Sequence, residues 1–336
     1  MKTLVCTSPG NFEYAERDKP LAKESNTILR IQRIGICGTD LHAFEGTQPY
    51  FQYPRVLGHE LAATIEETDA EGFKKGDAVT IIPYFYCGEC IACRNGKTNC
   101  CVSLQVCGVH MDGGMTEYFS VPSYSLLHSE GLSFDELALV EPLAIGAHAA
   151  RRAAVSANEF VLVIGAGPIG LGTMEFCRIA GALVIAMDIN DDRLNFCKEK
   201  LKIEHIVNAS STDVTDQLKK ITHGDMPTVV IDATGNLKAI NQAFHYLSHG
   251  GRYVLVGLQK ENITVSHPEF HKREATLMSS RNATKEDFRH VINSMKNGLV
   301  DPATYITHRV SFADVKDNFK GWLDPANRVI KAMVTM

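Results

Sequence analysis

The segment from residue 160 to residue 170 constrains the fold of this chain more than any other. It begins with the continuously apolar run Phe160–Ile164 and continues directly into the glycine-rich string Gly165-Ala-Gly167-Pro168-Ile169-Gly170. A buried strand that turns through spaced glycines into a helix is typical of a dinucleotide-binding site. Gly165 would make the turn, Gly167 would let the backbone approach a pyrophosphate, and Gly170 would let helix and strand pack closely. The alternative is a glycine-rich turn in an α/β sheet that binds no nucleotide.

The acidic residue Asp188 strengthens the nucleotide prediction. It follows a second apolar run, 183–187, and lies eighteen positions after Gly170. A carboxylate at this point can accept hydrogen bonds from an adenosine ribose, and it would repel a 2'-phosphate. The predicted cofactor is therefore NAD, bound by the 165–170 loop including Pro168 and Ile169, although Arg193 nearby leaves residual use of NADP open.

Strand and helix patterns alternate after residue 160. The predicted strands are 160–164, 183–187, 229–232, 252–256 and 276–279, and the predicted helices are 165–180, 191–201 and 236–247. This alternation predicts a parallel, doubly wound sheet.

Residues before about 150 have a different pattern, with short strands such as 27–34, 78–83 and 115–121 broken by glycine and proline. A length of 336 residues also favours two domains. The last segment returns to loops and short strands, with 328–334 as a candidate final strand. We expect a β-rich catalytic domain over 1–150, a nucleotide-binding domain over 151–290, and a C-terminal segment over 291–336 that rejoins the first domain.

Four cysteines lie close together in a loop of the first half. They occur as Cys87-Gly-Glu-Cys90-Ile-Ala-Cys93 followed by Cys101. This spacing predicts a tetrahedral structural zinc, which leaves no position open for chemistry. Cys100 could compete for the fourth position, but the spacing favours Cys101. The alternative is a disulfide pair or reduced surface thiols, and nothing at the N-terminus indicates an oxidising compartment.

Composition excludes several classes of partner. The net charge is −5 and no basic stripe is present, which argues against nucleic-acid binding. The opening residues are too short an apolar run for a signal peptide, and no stretch of about 20 apolar residues could span a bilayer. We therefore expect a cytoplasmic protein that binds neither nucleic acid nor a membrane.

A second group of metal-ligand residues is spread over the first half of the chain. It consists of Cys37, the pair His59-Glu60, and Glu141. A cysteine, a histidine and a carboxylate make an open catalytic zinc site, whose remaining position is left for water or substrate. Each residue alone is weak evidence, because single histidines and glutamates are usually structural or solvated. Next to a dinucleotide domain they predict a zinc-assisted alcohol oxidation.

The alcohol proton also needs a route to solvent. Thr39 lies beside the predicted metal, and His42 follows three positions later. A hydroxyl and an imidazole in this order can relay a proton outwards. Thr39 and His42 are therefore predicted to be catalytic residues, with Glu60 and Glu141.

These motifs together resemble the zinc-dependent medium-chain alcohol and polyol dehydrogenases over nearly the whole chain. The shared strings are Cys37 to His42, Gly58-His59-Glu60, Gly76-Asp77-Ala-Val79, the four-cysteine lobe, Gly113-Gly114-Met-Thr-Glu117-Tyr118, Glu141-Pro142 and the Gly165 fingerprint. The resemblance implies a GroES-like catalytic domain formed from both chain ends, a Rossmann domain between them, two zinc ions per subunit, and an active site in the cleft. A glutamate at position 141 resembles the sorbitol and threonine dehydrogenase branch, in which Cys37, His59 and either Glu60 or Glu141 would hold the zinc.

Longer strings resemble the bacterial sugar-acid dehydrogenases of the L-galactonate 5-dehydrogenase type. They are Tyr53-Pro-Arg-Val-Leu-Gly58-His59-Glu60, Gly108-Val-His110-Met-Asp-Gly-Gly, His267-Pro-Glu-Phe-His271-Lys and Ser279-Ser-Arg281-Asn282-Ala-Thr. The resemblance implies oxidation of a secondary hydroxyl of an open-chain sugar acid or polyol, and a homodimer or homotetramer. Arg281, His110 and Glu117 are the candidate substrate contacts, and the guanidinium of Arg281 could pair with a carboxylate. The alternative for Arg281 is a surface or interdomain salt bridge.

Three other functions remain open at this point. Dehydrogenases of L-threonine and of sorbitol or xylitol share the zinc motifs. A noncatalytic protein that senses NAD or redox state is a third possibility, from a different class.

Overall fold

A computed structural model describes residues 1–49, 51–210 and 213–336 of the chain. Its strands, in chain order, are β1 (Lys2–Ser8), β2 (Asn11–Glu16), β3 (Asn26–Gly35), β4 (Arg55–Val56), β5 (Glu60–Glu67), β6 (Ala78–Ile81), β7 (Tyr84–Phe85), β8 (Gln105–Val106), β9 (Tyr118–Pro122), β10 (Leu126–His128), β11 (Phe160–Ile164), β12 (Leu183–Asp188), β13 (His205–Asn208), β14 (Val229–Asp232), β15 (Arg252–Leu255), β16 (Thr276–Ser279), β17 (Ile306–Ser311) and β18 (Lys331–Thr335).

The α-helices are α1 (Gly38–Glu45), α2 (Ile91–Arg94), α3 (Phe134–Arg152), α4 (Pro168–Ile179), α5 (Asp191–Glu199), α6 (Val214–Ile221), α7 (Leu237–Ala243), α8 (His267–Lys272), α9 (Lys285–Lys296) and α10 (Val315–Asn318). Short 3₁₀ helices cover Thr98–Cys100, Ser123–Ser125, Phe244–Tyr246, Pro302–Thr304, Phe312–Asp314, Phe319–Leu323 and Pro325–Asn327. Over the described ranges, none of these helices combines the length and the apolar character that a membrane crossing requires.

The chain divides into two compact units. The first comprises Met1–Pro142 and Thr284–Met336, and the second comprises Leu143–Ala283. The sequence-based boundaries lie at 150/151 and 290/291. The first change of unit falls inside α3, just after Pro142.

The first unit is rich in antiparallel strands. Its largest sheet has the order β10-β6-β5-β3-β18-β17, and β9 also pairs with β3. A second sheet has the order β2-β1-β4. The C-terminal strand β18 lies beside β3, with Met333 opposite Gly35, and β5 lies on the other side of β3, with Glu60 opposite Gly35. This register brings three distant pieces of sequence together at one end of β3. The predicted β-rich fold of GroES-like type is confirmed.

The second unit has one parallel sheet with the order β13-β12-β11-β14-β15-β16. Its core is formed by apolar side chains of these strands, among them Leu162, Ile185, Val230 and Tyr253. The order reverses direction between β11 and β14, and nucleotides bind at the carboxyl ends of strands at such a switch point. The predicted doubly wound Rossmann sheet is confirmed.

Candidate active site

The structure brings Cys37, His59 and Glu60 together in the first unit. Cys37 is the N-cap of α1, two residues after β3 ends, while His59 directly precedes β5 and Glu60 begins it. Because β3 and β5 are neighbours, the end of one meets the start of the other. A thiolate sulfur, an imidazole nitrogen and a carboxylate oxygen from these residues all lie within 4.8 Å of one another.

Asp40 fixes the two loops that carry these ligands, a role that the sequence interpretation missed. Its carboxylate accepts hydrogen bonds from the backbone N–H of Cys37, at 2.9 Å, and from that of Gly58, at 3.1 Å. The side chain is 1% exposed. The Cys37-x-x-Asp40 spacing is that of a capping box, and this signal could have identified Asp40 from the sequence.

The imidazole of His59 has the environment of a metal ligand. It is buried, and its Nδ1 atom has no hydrogen-bond partner among the described residues; a carboxylate oxygen of Asp40 lies 3.8 Å away. Burial lowers the pKa of His59, but the negative charges of Cys37 and Asp40 raise it by more, so the site favours a positive charge here. A buried, unpaired nitrogen beside a sulfur and a carboxylate fits the mixed donor set that zinc prefers.

Glu60 is held by Lys331, which the sequence interpretation also missed. Both carboxylate oxygens accept from the Lys331 ammonium, at 2.5 and 2.7 Å, and the third contact of that ammonium is the carbonyl oxygen of Ile36 at 3.1 Å. Glu60 is fully buried and Lys331 is 3% exposed. Gly35 makes room for this pair, because a Cβ at that position would lie 2.1 Å from a Glu60 carboxylate oxygen.

Glu141 lies nearby on α3 but is not part of the three-residue cluster of ligand atoms. It is buried and accepts a hydrogen bond from the hydroxyl of Tyr84, on β7. Burial raises the pKa of Glu141 to about 7, a rise that the positive charge of His59 opposes and the negative charge of Glu60 reinforces. The charges of both residues therefore act on the Glu141 carboxylate. No sequence motif pointed to Tyr84.

Thr39 and His42 lie on α1 at a spacing that puts both on one helix face. Thr39 is half-buried beside Cys37. The imidazole of His42 is 64% exposed, and its Nδ1 atom lies 3.3 Å from the hydroxyl of Thr47. The pair thus runs from the edge of the metal cluster to solvent.

The four predicted cysteines of the lobe also come together. Sulfur–sulfur distances are 3.5 Å for Cys90–Cys93 and for Cys87–Cys101. These distances exclude disulfides and are close to the edge of about 3.8 Å of a ZnS₄ tetrahedron with bonds of about 2.3 Å. The backbone N–H of Cys93 lowers the pKa of Cys90 to about 6, which favours the thiolate that zinc requires. Cys101, not Cys100, is the fourth member of the group, and the lobe fits a structural zinc.

The glycine-rich loop of the second unit has the geometry of a nucleotide cradle. Gly165 has φ +98°, and a Cβ at Gly170 would lie 1.7 Å from the carbonyl oxygen of Gly165. At Gly167, by contrast, no atom of the described residues other than its two chain neighbours lies within 4 Å of where its Cβ would be. It is the N-cap of α4 and no side chain caps that helix, so the first N–H groups of α4 face a space that a pyrophosphate would fill.

Asp188 supports the same loop. Its carboxylate accepts from the backbone N–H of Ala166 at 2.7 Å and of Asn190 at 2.9 Å, and Arg193 lies 4.0 Å away. A carboxylate has about four lone-pair sites, so two of them remain for ribose hydroxyls. Asp188 therefore has a structural role in addition to the predicted contact with the cofactor.

The three candidate substrate contacts lie in different places. Arg281 is exposed in the second unit, two residues after β16. His110 is half-buried in the first unit, and its Nδ1 atom accepts from the backbone N–H of Val106 at 3.0 Å. The carboxylate of Glu117 accepts a hydrogen bond from the backbone N–H of Lys2 at 2.7 Å. This contact connects β1 to the start of β9, the strand that begins one residue after Glu117. None of the three belongs to the two groups of metal-ligand atoms found among the described residues.

Comparison with known proteins gives two family matches. Residues 23–130 match the alcohol dehydrogenase GroES-like domain, and residues 168–297 match the zinc-binding dehydrogenase family. The first match contains Cys37, His59, Glu60 and the cysteine lobe, and the second begins inside the glycine-rich loop.

Individual relatives cover the chain almost completely. It is 41% identical to L-galactonate-5-dehydrogenase of Escherichia coli (strain K12), over 100% of this chain and 99% of that protein. It is 28% identical to sorbitol dehydrogenase of Halalkalibacterium halodurans, over 94% of each chain. A solved structure, described as a short chain alcohol dehydrogenase (rspB) from E. coli CFT073 complexed with NADH, superimposes with a TM-score of 0.93 at 31% identity, over 100% of this chain and 99% of that one.

Proposed function

We propose a substrate class and a division of roles for this chain, which belongs to the zinc-binding, GroES-like alcohol dehydrogenase family. It oxidises a secondary hydroxyl of an open-chain sugar acid to a ketone, and NAD accepts the hydride. The observation that carries this proposal is the buried cluster of Cys37, His59 and Glu60, whose sulfur, nitrogen and oxygen atoms converge within 4.8 Å. The 41% identity to an L-galactonate-5-dehydrogenase supports the substrate class.

The two units supply different halves of the reaction. Cys37, His59 and Glu60 or Glu141 would hold zinc, which lowers the pKa of a coordinated alcohol and so favours its alkoxide. Loop 165–170 and Asp188 would hold the cofactor. NAD held there would supply the hydride acceptor, so that the alcohol and NAD would give a ketone, NADH and one proton.

The proton released from the alcohol would reach solvent by way of two side chains on α1. Thr39, beside Cys37, accepts it from the substrate hydroxyl, and His42 receives it from Thr39 and passes it to water. The 64% exposure of His42 supports this order, because an exposed imidazole exchanges protons with solvent directly. Asp40 is buried, and its carboxylate holds the loops that carry the ligands.

Arg281 would recognise the carboxylate that distinguishes a sugar acid from a polyol. Its guanidinium can form a paired hydrogen bond with a carboxylate. Losing a hydrogen bond to a charged group costs about 1.5–3 kcal/mol, so Arg281→Leu should raise KM for aldonates roughly 10- to 100-fold. KM for neutral polyols should change little. Equal effects on both substrate types would exclude carboxylate recognition by Arg281. His110 and Glu117 are further candidate contacts, and Glu117 is the weaker one because its carboxylate already holds Lys2.

The substrate class is tested by NADH formation with L-galactonate, L-gulonate, sorbitol, xylitol and L-threonine. We expect kcat/KM for one of the two aldonates to exceed that for each polyol at least tenfold. A higher value for sorbitol or xylitol would favour polyol oxidation, the second candidate, which the 28% identity to a sorbitol dehydrogenase supports. A preference for L-threonine would indicate the amino-acid branch, and NADH binding without any turnover would indicate a noncatalytic sensor.

We also propose that the protein is a cytoplasmic homodimer or homotetramer. Within the described residues β16 pairs with β15 alone, and Leu277 on β16 is 36% exposed. An edge strand of this kind can extend its sheet into a second copy. Light scattering of the purified protein distinguishes the monomer, dimer and tetramer.

A further inference from the structure

The second unit contains a cavity of about 340 Å³ that belongs to neither predicted metal site nor to the nucleotide loop. Its walls come from the C-terminal part of α7, the 3₁₀ helix after it, residues 264–266, and α8 with the residues just beyond it. These segments lead into the amino ends of two parallel strands, since Leu247 precedes β15 and Ala275 directly precedes β16. The glycine-rich loop and Asp188 lie at the carboxyl ends of β11 and β12. The cavity is therefore at the opposite end of the strands from the predicted cofactor.

Part of the cavity lining is apolar and continuous with the core of the unit. The apolar residues that line it are Phe244, Leu247, Val265, Phe270 and Ala275. The ring centroids of Phe244 and Phe270 are 6.4 Å apart, and the ring planes are inclined by 77°. Aromatic rings favour this edge-to-face arrangement, and a third ring can join the pair in the same way. Because protein interiors are normally close-packed, apolar space of this size beside the core favours an apolar ligand.

Arg273, which also lines the cavity, has hydrogen-bonding capacity that its neighbours do not use. Its side chain is 15% exposed. Nε donates to the carbonyl oxygen of Leu247 at 3.1 Å, and Nη1 donates to the carbonyl oxygen and the carboxylate of Glu269 at 3.0 and 2.6 Å. A guanidinium has five N–H groups, and the two on Nη2 have no acceptor within the described ranges. Charged oxygen atoms form the strongest hydrogen bonds with such groups.

The charge at this wall of the cavity is positive. Glu269 is the single acidic residue among the described residues that line it. One oxygen of Glu269 pairs with Lys272 at 2.8 Å and the other with Arg273 at 2.6 Å, so two cations share one carboxylate. Asn241 adds a neutral donor. Its amide oxygen accepts from the backbone N–H of Thr264 at 2.9 Å, which leaves its NH₂ group for an acceptor.

From this lining we infer that the cavity is a second binding site, which takes a small carboxylic acid with an aromatic body. The aromatic ring lies against Phe244 and Phe270, and the carboxylate accepts hydrogen bonds from Arg273 and Asn241. At about 30 Å³ for each non-hydrogen atom, the volume of a water molecule in the liquid, the cavity holds roughly eleven such atoms. 3-Phenylpropionate has this size and is the matching probe. The inference depends neither on the zinc site nor on the proposed substrate.

Calorimetric titration of the zinc-loaded protein, saturated with NADH, tests the site. NADH binds at the other end of the strands, so 3-phenylpropionate should still bind, with a Kd of about 1 mM or lower for a ligand of this size. The neutral 3-phenylpropionamide should bind about tenfold more weakly or worse, because it lacks the negative charge. Absence of binding by the acid, equal affinities for acid and amide, or competition between the acid and NADH would each overturn the inference.

Three substitutions locate the bound acid. Arg273→Met should weaken its binding by about tenfold or more, to the level of the amide. Lys272→Met is the matched control, because it removes the same charge from the adjacent residue, which pairs with Glu269 but does not line the cavity. Its affinity for the acid should stay close to that of the wild type. Val265→Trp should fill the cavity and abolish binding of both acid and amide.

NADH affinity, which should be unchanged in all three variants, reports that the second unit is still folded. Wild-type affinity for the acid in Arg273→Met or in Val265→Trp would place the acid elsewhere and overturn the inference. An equal loss in Lys272→Met would also overturn it, since general electrostatic attraction would then explain the binding. If Arg273→Met does not fold, Val265→Trp and the comparison of acid with amide still decide the question.

Discussion

Gly167 offers the sharpest test of the nucleotide site, because the substitution Gly167→Ala adds a single methyl group where the free protein has room for it. The backbone there has φ −76° and ψ 177°, which alanine adopts without strain, and apart from the two chain neighbours no atom of the described part of the chain lies within 4 Å of the added Cβ. The change reduces the freedom of the unfolded chain, which stabilises by about 0.4–1 kcal/mol. Alanine is a poorer N-cap than glycine, which offsets this gain. The free energy of unfolding should therefore stay within about 1 kcal/mol of the wild type.

Cofactor binding should respond very differently. The new methyl group would occupy the space through which a pyrophosphate approaches the start of α4. Forcing an extra methyl group into a close contact typically costs about 1–3 kcal/mol, which corresponds to a rise in Kd of roughly 5- to 150-fold. Titration calorimetry with NADH and thermal unfolding without it measure the two effects separately.

Two further glycine-to-alanine variants serve as controls for Gly167→Ala. Gly170→Ala places its Cβ 1.7 Å from the carbonyl oxygen of Gly165, so it should lose stability even without the cofactor. Gly321→Ala, in the other unit, meets only Asn327 at 3.7 Å and should change neither quantity. Wild-type NADH affinity in Gly167→Ala would refute the argument that this loop receives the pyrophosphate.

Three further predictions concern other parts of the molecule. Asp188→Ser should shift the ratio of kcat/KM for NADP and NAD towards NADP, and an unchanged ratio would contradict the role of Asp188 in cofactor choice. The substitution should also weaken NAD binding, because the Asp188 carboxylate accepts a hydrogen bond from the N–H of Ala166 in the glycine-rich loop. Cys93→Ser should lower the free energy of unfolding by more than about 2 kcal/mol, while kcat per zinc-containing active site should stay unchanged. Loss of kcat at unchanged stability would contradict the structural role of the cysteine lobe. In protein freed of metal by a chelator, the raised pKa of Glu141, about 7, stabilises the fold at low pH, and this contribution is lost as the pH rises from about 4.5 through 7. Glu141→Gln should remove up to about 3 kcal/mol of this pH dependence, and identical stability curves for both proteins would show that Glu141 titrates normally.

The sequence was sufficient for the parts of the structure that are encoded locally. The run 160–164, the glycine spacing and Asp188 lie within thirty residues, and each has a geometric consequence that does not depend on the rest of the chain. The cysteine lobe is local in the same sense. β13 and α6 were not predicted, because His205–Asn208 is short and only one of its four residues is fully buried. Local patterns could not distinguish so short a strand from a loop.

The partners of the predicted ligands could not be found in this way. Lys331 is 271 positions from Glu60 in sequence, and their contact arises because β18 and β5 flank β3. Tyr84, on β7, reaches Glu141, on helix α3, from 57 positions away. A lysine in an apolar strand and a tyrosine after a proline have ordinary structural explanations. The contacts of Lys331 with Glu60 and of Tyr84 with Glu141 become visible only in the folded structure.

The charges of the metal cluster explain why these partners matter. A buried site that holds several acidic groups destabilises the fold unless each negative charge has hydrogen-bond donors or a positive charge beside it. Asp40 is compensated by two backbone N–H groups, and Glu60 by the ammonium of Lys331. Within the part of the chain that the structure describes, the hydrogen bond to Glu141 comes from the phenol of Tyr84, and Nδ1 of His59 has no partner. Over the described residues, the fold thus supplies its own donors to Asp40 and Glu60, and it leaves Glu141 and His59 less completely satisfied.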